Sequence, residues 1–320
     1  MTAVAPRELR IEVGALLPGE GPLSVSADVF LPERPCSPPA ALFCLPGGAL
    51  ARGYYDLRAE GDFSFAAHLS ARGFIVVSLD PLGVGGSSRP RDGFALTPEV
   101  LVRAQALAID AIRADLRAGR LGAPAMPALV TIGVGHSMGA MLTVMHQAQH
   151  GGHVGLALFG FGTQGLAAAL SEEERGFAGD PASARANLVR LARRRGADPY
   201  PPIGSSAQSR ELFAGESADR RGVEALQRAR ERLLLTAGLF SMIPGSCAPE
   251  CARIAAPLLL AVGDRDIAGP PHAIPASFPA SADVTLRVLP ATGHCHFLFA
   301  SRRLLFERTA SWCEALLRGD

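Results

Sequence analysis

Short apolar runs and longer amphipathic stretches alternate along most of the chain. Residues 9–13 and 25–30 alternate between apolar and polar side chains, which predicts an N-terminal antiparallel hairpin. Six continuous apolar runs follow, and such runs are typical of strands buried on both faces of a parallel sheet. These runs lie at 40–45, 74–79, 129–133, 155–159, 257–262 and 284–288.

Apolar residues spaced three and four apart lie between these runs and predict amphipathic helices. The helical patterns cover 63–72, 98–117, 138–150, 272–278 and 299–317. Strands that alternate with helices after an antiparallel start are typical of an α/β fold. We therefore predict a mostly parallel sheet with helices on both of its faces.

One region, 163–250, breaks the alternation because it contains no strand-like run. Its pattern is helical and rich in Ala, Arg and Glu, and it carries more apolar residues than a small core of its own needs. Phe213 and Phe240 are two of these apolar residues. We expect an inserted helical cap at 163–250 on a core domain formed by 1–162 and 251–320.

The composition narrows the classes of function. The 320 residues carry a formal net charge of +1, which argues against the basic surface of a nucleic-acid-binding protein. Lysine is absent and all 31 basic side chains are arginines, so PLP, Schiff-base and Walker A chemistry are excluded. The 35 glycines and 25 prolines punctuate the periodic segments, which favours a compact fold with sharp turns.

The first residues of the sequence and its cysteines indicate the cellular compartment. The first residues lack the apolar stretch of a signal peptide, and no apolar run reaches the length of a membrane span. Six scattered cysteines are typical of reduced thiols, so we expect a cytoplasmic protein. Cys247 and Cys251 leave a disulfide or a metal site as alternatives, although no His or Asp neighbours them at ligand spacing. We expect neither a metal ion nor a cofactor.

The main chemical signal is Gly135-His136-Ser137-Met138-Gly139, which follows a predicted strand and opens a predicted helix. In this G-x-S-x-G pattern the serine occupies a strained turn, so the positions two before and two after it need very small residues. The helix N-terminus behind the serine favours negative charge. Ser137 is therefore the candidate nucleophile, and the Met138 amide is a candidate oxyanion donor.

A serine nucleophile needs a histidine base and an acid that orients the base. His294 follows the last predicted strand and is the preferred base, with His296 as the alternative. Asp266 follows the preceding strand and is the preferred acid, with Asp264 as the alternative. Loops at the carboxyl edge of a parallel sheet are where such side chains converge.

Further site candidates lie in other loops. Gly48, in the glycine turn after 40–45, is the candidate for the second oxyanion donor, with Ala49 as its substitute. The candidate substrate-binding residues are His136, Ala49, Leu50, Phe240 and His296.

These motifs, in the chain order Ser–Asp–His, resemble the α/β-hydrolase fold superfamily over nearly the full length of the chain. The residues that carry the resemblance are Leu45-Pro46-Gly47-Gly48, the G-x-S-x-G motif, Gly263-Asp264-Arg265-Asp266 and Gly293-His294, with a glycine-rich loop at 80–87. The resemblance implies an eight-stranded, mostly parallel sheet with a helical cap after the sixth strand. Pro46 stands where many relatives have a histidine, and the serine separates the chain from relatives with an aspartate nucleophile.

The expected function is hydrolysis of a small-to-medium, largely hydrophobic carboxylic ester, lactone or thioester through an acyl-enzyme. A C–C bond hydrolase, or a lyase or cyclase that uses the same three residues, is the alternative. A ligand-binding protein with little turnover is the third hypothesis. The expected partner is a small-molecule substrate, not a nucleic acid or a membrane, and a homodimer is the candidate assembly.

Overall fold

The computed structural model describes residues 5–203, 215 and 217–319. Eight strands in this part of the chain form one sheet in the order β1-β2-β4-β3-β5-β6-β7-β8. The strands are β1 (Arg7–Gly14), β2 (Leu23–Phe30), β3 (Ala40–Leu45), β4 (Ile75–Leu79), β5 (Val130–His136), β6 (Leu156–Phe159), β7 (Leu258–Gly263) and β8 (Val284–Leu289). The β1–β2 and β2–β4 pairs are antiparallel and all other pairs are parallel, which confirms the predicted sheet.

Helices cover both faces of this sheet. The α-helices are α1 (Phe65–Ala71), α2 (Pro98–Arg117), α3 (Met138–His150), α4 (Glu172–Arg175), α5 (Pro181–Arg195), α6 (Arg220–Gln227), α7 (Leu235–Met242), α8 (Ala248–Cys251) and α9 (Arg302–Arg318). Short 3₁₀ helices span Arg52–Asp56, Gly93–Ala95, Ala167–Ala169, Pro271–Ser277 and His296–Leu298. The helix expected at 272–278 is thus a 3₁₀ helix, and Pro275 inside it lacks the N–H that an α-helix interior needs.

The central strands are buried on both faces because successive side chains enter two different apolar clusters. In β3, Phe43 packs in the first cluster and its neighbour Leu42 packs in the second. Helix α3 supplies Met141 to the first cluster, and α9 supplies Phe306 to the second. No helix in the described part of the chain combines the length and apolar character needed to cross a membrane.

The segment between β6 and β7 is helical and contains α4 to α8; these helices lie within the predicted insertion 163–250, except that α8 ends one residue beyond it, at Cys251. The described residues of this insertion form no strand, although an isolated bridge pairs Arg230 with Leu50. Ser171 and Glu174 close a reciprocal capping box at the start of α4, which satisfies free N–H groups there. Phe213 lies outside the described residues.

Candidate active site

Ser137 occupies the turn between β5 and α3, at the carboxyl edge of the sheet. Its backbone has φ 53° and ψ −120°, a conformation that costs energy for a residue with a side chain. A Cβ on Gly135 would overlap the backbone of Ala140, and one on Gly139 would overlap the carbonyl oxygen of Leu45. The two motif glycines are therefore required by sterics, and they allow the strand, the helix and the neighbouring loop to meet closely behind the serine.

His294 and Asp266 converge on Ser137 from the loops after β8 and β7. The Ser137 hydroxyl donates to Nε2 of His294 over 2.9 Å. Nδ1–H of His294 donates to Oδ1 of Asp266 over 2.7 Å, and this oxygen also accepts from the Ala268 N–H at 3.1 Å. The structure therefore joins the preferred serine, histidine and aspartate in one unbroken chain of hydrogen bonds.

Asp266 is held as an anion in a buried position. Burial opposes its ionisation, but the imidazoles of His294 and His296 and their hydrogen bonds hold its pKa well below the usual range. The alternative acid, Asp264, instead accepts bonds from the N–H groups of Ala291 and Thr292, both at 2.9 Å. Asp264 therefore stabilises a turn, and among the described residues no hydrogen bond joins it to His294.

His296 and His136 lie behind the serine–histidine–aspartate chain. Nε2–H of His296 donates to Oδ2 of Asp266 over 2.6 Å, and Nε2–H of His136 donates to the backbone carbonyl of His294 over 2.8 Å. Burial, with the nearby His294 and His296 rings, moves the pKa of His136 well below its usual range, so this ring is neutral. Both side chains are fully buried, and this placement does not fit the substrate-binding roles expected from the sequence.

The two candidate oxyanion donors lie next to each other. A Cβ added to Gly47 would come within 2.6 Å of Nδ1 of His136, and one added to Gly48 would lie 3.9 Å from Sδ of Met138. The loop after β3 therefore rests directly on the serine turn. Within the described ranges, no group accepts a hydrogen bond from the amide of Gly48 or from that of Met138. Both N–H groups are thus available to a ligand oxygen.

The loop after β3 is bridged to the helical insertion around Leu50. The Ala51 N–H donates to the carbonyl of Ala229, and the Glu231 N–H donates to the carbonyl of Ala49, each over 2.8 Å. Leu50 is buried in the second apolar cluster and Ala49 is also buried, so neither side chain opens toward a ligand as the sequence suggested. Their contribution is to the position of the loop backbone.

A narrow cleft of about 50 Å³ opens over Ser137 and His294. Small and apolar residues form its walls, together with one hydroxyl, that of Ser241. The wall residues are Met138, Gly160, Phe161, Gly162, Gly165, Leu166, Ser241, Ile267 and Ala268. Gly160 and Gly162 went unnoticed in the sequence, although a Gly-x-Gly directly after a predicted strand was a signal for this edge of the sheet.

Phe240 does not line this cleft. Its ring is fully buried in the first apolar cluster, and the Arg185 guanidinium lies 5.1 Å from the ring centroid. The substrate-binding role expected for Phe240 does not fit this placement, because α7 turns the ring toward α5. Ser241, the next residue along the helix, is the one that reaches the cleft.

The possible ligands for a metal ion are dispersed. Among residues 5–203, 215 and 217–319, no three His, Cys, Asp or Glu side chains form a group that could hold a metal ion. All six cysteines are free thiols, including Cys247 and Cys251. The groups of the candidate site come instead from the Ser137 turn, the two loops after β7 and β8, and the loop after β3.

Comparisons with known proteins agree with this architecture. The model of the alpha/beta hydrolase family matches residues 42–306. No curated protein matches the chain well enough to count as a relative.

Similar solved structures cover nearly the whole chain. An esterase from Thermogutta terrifontis, solved with bound malate, is 18% identical with a TM-score of 0.64, over 96% of this chain and 99% of that one. A proline iminopeptidase from Mycobacterium smegmatis is 18% identical with a TM-score of 0.63, over 98% and 99%. A monoacylglycerol lipase from Paleococcus ferrophilus is 18% identical with a TM-score of 0.62, over 93% and 99%. At this level of identity the likeness shows the fold alone.

Proposed function

Because the chain belongs to the alpha/beta hydrolase family, we propose that it is a serine hydrolase acting through an acyl-enzyme. The substrate in this proposal is a small-to-medium, largely hydrophobic carboxylic ester, lactone or thioester. The observation that carries the proposal is the hydrogen-bond chain from the Ser137 hydroxyl through His294 to the ionised Asp266. That chain supplies a nucleophile, a base and an anion that orients the base.

Acylation begins when the Ser137 oxygen attacks the substrate carbonyl and His294 takes the hydroxyl proton on Nε2. Asp266 keeps the proton on Nδ1 and stabilises the imidazolium that forms. The free amides of Gly48 and Met138 bind the negative oxygen of the tetrahedral intermediate. His294 then gives its proton to the departing alkoxide or thiolate, and the acyl group stays on Ser137.

Deacylation repeats these steps with water. His294 removes a proton from a water molecule as the water oxygen attacks the acyl carbonyl. The second tetrahedral intermediate uses the same two amides, and its collapse returns the proton to the Ser137 oxygen and releases the acid.

The substrate class follows from the cleft walls. The lining side chains are neutral except for the titratable His294, so a charged acyl group would lose its hydration without gaining a partner. Leu166, Phe161 and Ile267 instead offer apolar contact. We assign the helical insertion, residues 163–250, as the cap over the core domain 1–162 and 251–320. The free cysteines fit the cytoplasmic location included in this proposal.

A fluorophosphonate probe tests the nucleophile, because it reacts covalently with an activated serine. Labelling and hydrolysis of short nitrophenyl esters are compared in the parent protein, Ser137→Ala and Ser241→Ala. Ser241 is the matched control because its hydroxyl lines the same cleft and bonds only the Gly238 carbonyl among the described residues. We expect Ser137→Ala to lose the label and at least ~10³-fold in kcat, and Ser241→Ala to keep the label. Unchanged ester hydrolysis in Ser137→Ala would contradict the mechanism.

The kinetics of the same esters separate this proposal from its rivals. A burst of nitrophenol followed by steady turnover indicates formation and hydrolysis of an acyl-enzyme. Labelling without turnover would instead indicate a binding protein, or an enzyme that acts on a different bond.

A further inference from the structure

Asp266 lies between two histidine rings, although the proposed hydrolysis requires only one. Nδ1–H of His294 is 2.7 Å from Oδ1, and Nε2–H of His296 is 2.6 Å from Oδ2. Both carboxylate oxygens therefore accept an N–H from an imidazole. The Ala268 N–H, at 3.1 Å from Oδ1, is the third donor to this carboxylate among the described residues.

His296 is buried in the interior and does not line the cleft. Its side chain is completely buried and stands outside the walls of the cleft. Its Nδ1 has no hydrogen-bond partner among the described residues, so a second proton there would bury an N–H without an acceptor. The ring is therefore suited to act as a neutral donor through Nε2, and it cannot replace His294 as the base of Ser137.

We propose that His296 is a positioning residue for the proposed hydrolysis, because its bond to Oδ2 fixes the rotation of the Asp266 carboxylate. With Oδ2 held, Oδ1 points at Nδ1 of His294. The inference rests on the proposed function and adds a second side chain, behind Asp266, to the orientation of the serine's base.

The physical reason is that a carboxylate rotates easily about its Cβ–Cγ bond. The bonds from His294 and from the Ala268 N–H both end on Oδ1, so they limit this rotation from one side only. The bond from His296 to Oδ2, on the opposite side, removes the remaining rotational freedom of the carboxylate before substrate binds. The base is then pre-organised. The ring that makes this bond is fully buried, so water does not compete for Oδ2.

The charge on Asp266 gives a second consequence. A donor on Oδ2 draws part of the negative charge away from the face that meets His294. Without this donor, more negative charge faces the imidazolium of His294 and stabilises it, so its proton is lost at a higher pH. The other titratable or charged groups around the pair are His136, Tyr54, Cys295 and Arg230.

Two variants separate the hydrogen bond from the volume of the ring. His296→Phe keeps an aromatic ring without a donor, whereas His296→Gln places an amide N–H near the position of Nε2. For each we would measure kcat, KM and the pH dependence of kcat/KM on a short nitrophenyl ester. The exposed residue His272 provides the matched control, His272→Gln, which is expected to behave like the parent.

In His296→Phe we expect kcat to fall roughly 10- to 100-fold with little change in KM. The acid limb of kcat/KM should move up by about half a pH unit or more. His296→Gln should recover most of kcat and return the limb toward the parent. Active-site counting with the fluorophosphonate probe corrects each rate for the fraction of protein that is folded.

Three results would overturn the inference. The first is a kcat per labelled site in His296→Phe that stays within about threefold of the parent. The second is an acid limb that does not move, and the third is an equal loss in the Phe and Gln variants, which would indicate packing alone. Absence of ester turnover in the parent would refute the proposed function instead, so the two failures are distinguishable.

Discussion

Acidification should destabilise this protein through buried histidines near the end of α3, far from the cleft. His146 is buried, and burial, with the nearby His150 and Arg113, lowers its pKa from 6.5 to about 4. His153 packs 5.1 Å from the His146 ring centroid, and burial followed by the His146 and Arg113 charges moves its pKa well below the usual range. Both rings are therefore neutral in the folded protein at neutral pH.

The sign of the effect follows from proton binding. In the unfolded chain His146 takes up a proton near pH 6.5, whereas in the folded protein it does so only near pH 4. Between these values the unfolded state binds more protons, so the free energy of unfolding falls as the pH falls. This pKa difference corresponds to a loss of about 3 kcal/mol from His146 alone. The loss begins below about pH 6.5 and is complete near about pH 4.

Urea unfolding of the parent and of His146→Phe, at several pH values from about 8 to about 4.5, measures this loss. Phenylalanine fills a similar volume and cannot titrate. As the pH falls, the free energy of unfolding of the variant should therefore rise relative to that of the parent by about 2 to 3 kcal/mol. Met141→Leu is the matched control, because Met141 is buried on the same helix and its side chain has no titratable group. Parallel pH dependence in His146→Phe and the parent would refute the reasoning.

Two further substitutions test the site. Gly139→Ala should lower the free energy of unfolding by about 3 kcal/mol or more, because its Cβ would overlap the carbonyl oxygens of Leu45 and Pro46 where β3 ends. Gly21→Ala, where a Cβ meets nothing within 4 Å, should leave thermal unfolding unchanged, and an equal effect at both positions would contradict this steric argument. Asp266→Asn should lower kcat about 10⁴-fold, since an amide no longer stabilises the imidazolium of His294. Steady-state hydrolysis of a nitrophenyl ester measures the loss, and a kcat within tenfold of the parent would argue against an orienting anion.

Much of the fold could be predicted because it depends on local patterns. Continuous apolar runs predicted the central strands closely, since a strand buried on both faces has no polar side. The meeting of Ser137, His294 and Asp266 could also be predicted. Each follows a parallel strand, and the carboxyl ends of such strands share one edge of the sheet.

Other features depend on packing that no local pattern encodes. Phe240 and Ser241 are neighbours on α7, and the way the helix rests on α5 decides which of them reaches the cleft. The bond from His296 to Asp266 joins two loops whose relative position is set by β7 and β8. A histidine two residues after His294 was visible in the sequence, but its partner was not.

The short bridge between the loop after β3 and the helical insertion couples two events that are chemically separate. Residues 229–231 are hydrogen-bonded to the backbone of Ala49 and Ala51, so a shift of 229–231 would also displace the loop that carries the Gly48 amide. Thermodynamic linkage makes this coupling reciprocal. If the Gly48 amide binds the oxyanion as proposed, that binding would favour the position of the insertion that the two bonds hold. In the proposed mechanism, the position of the helical insertion and the affinity of the site for the negative oxygen would therefore be linked.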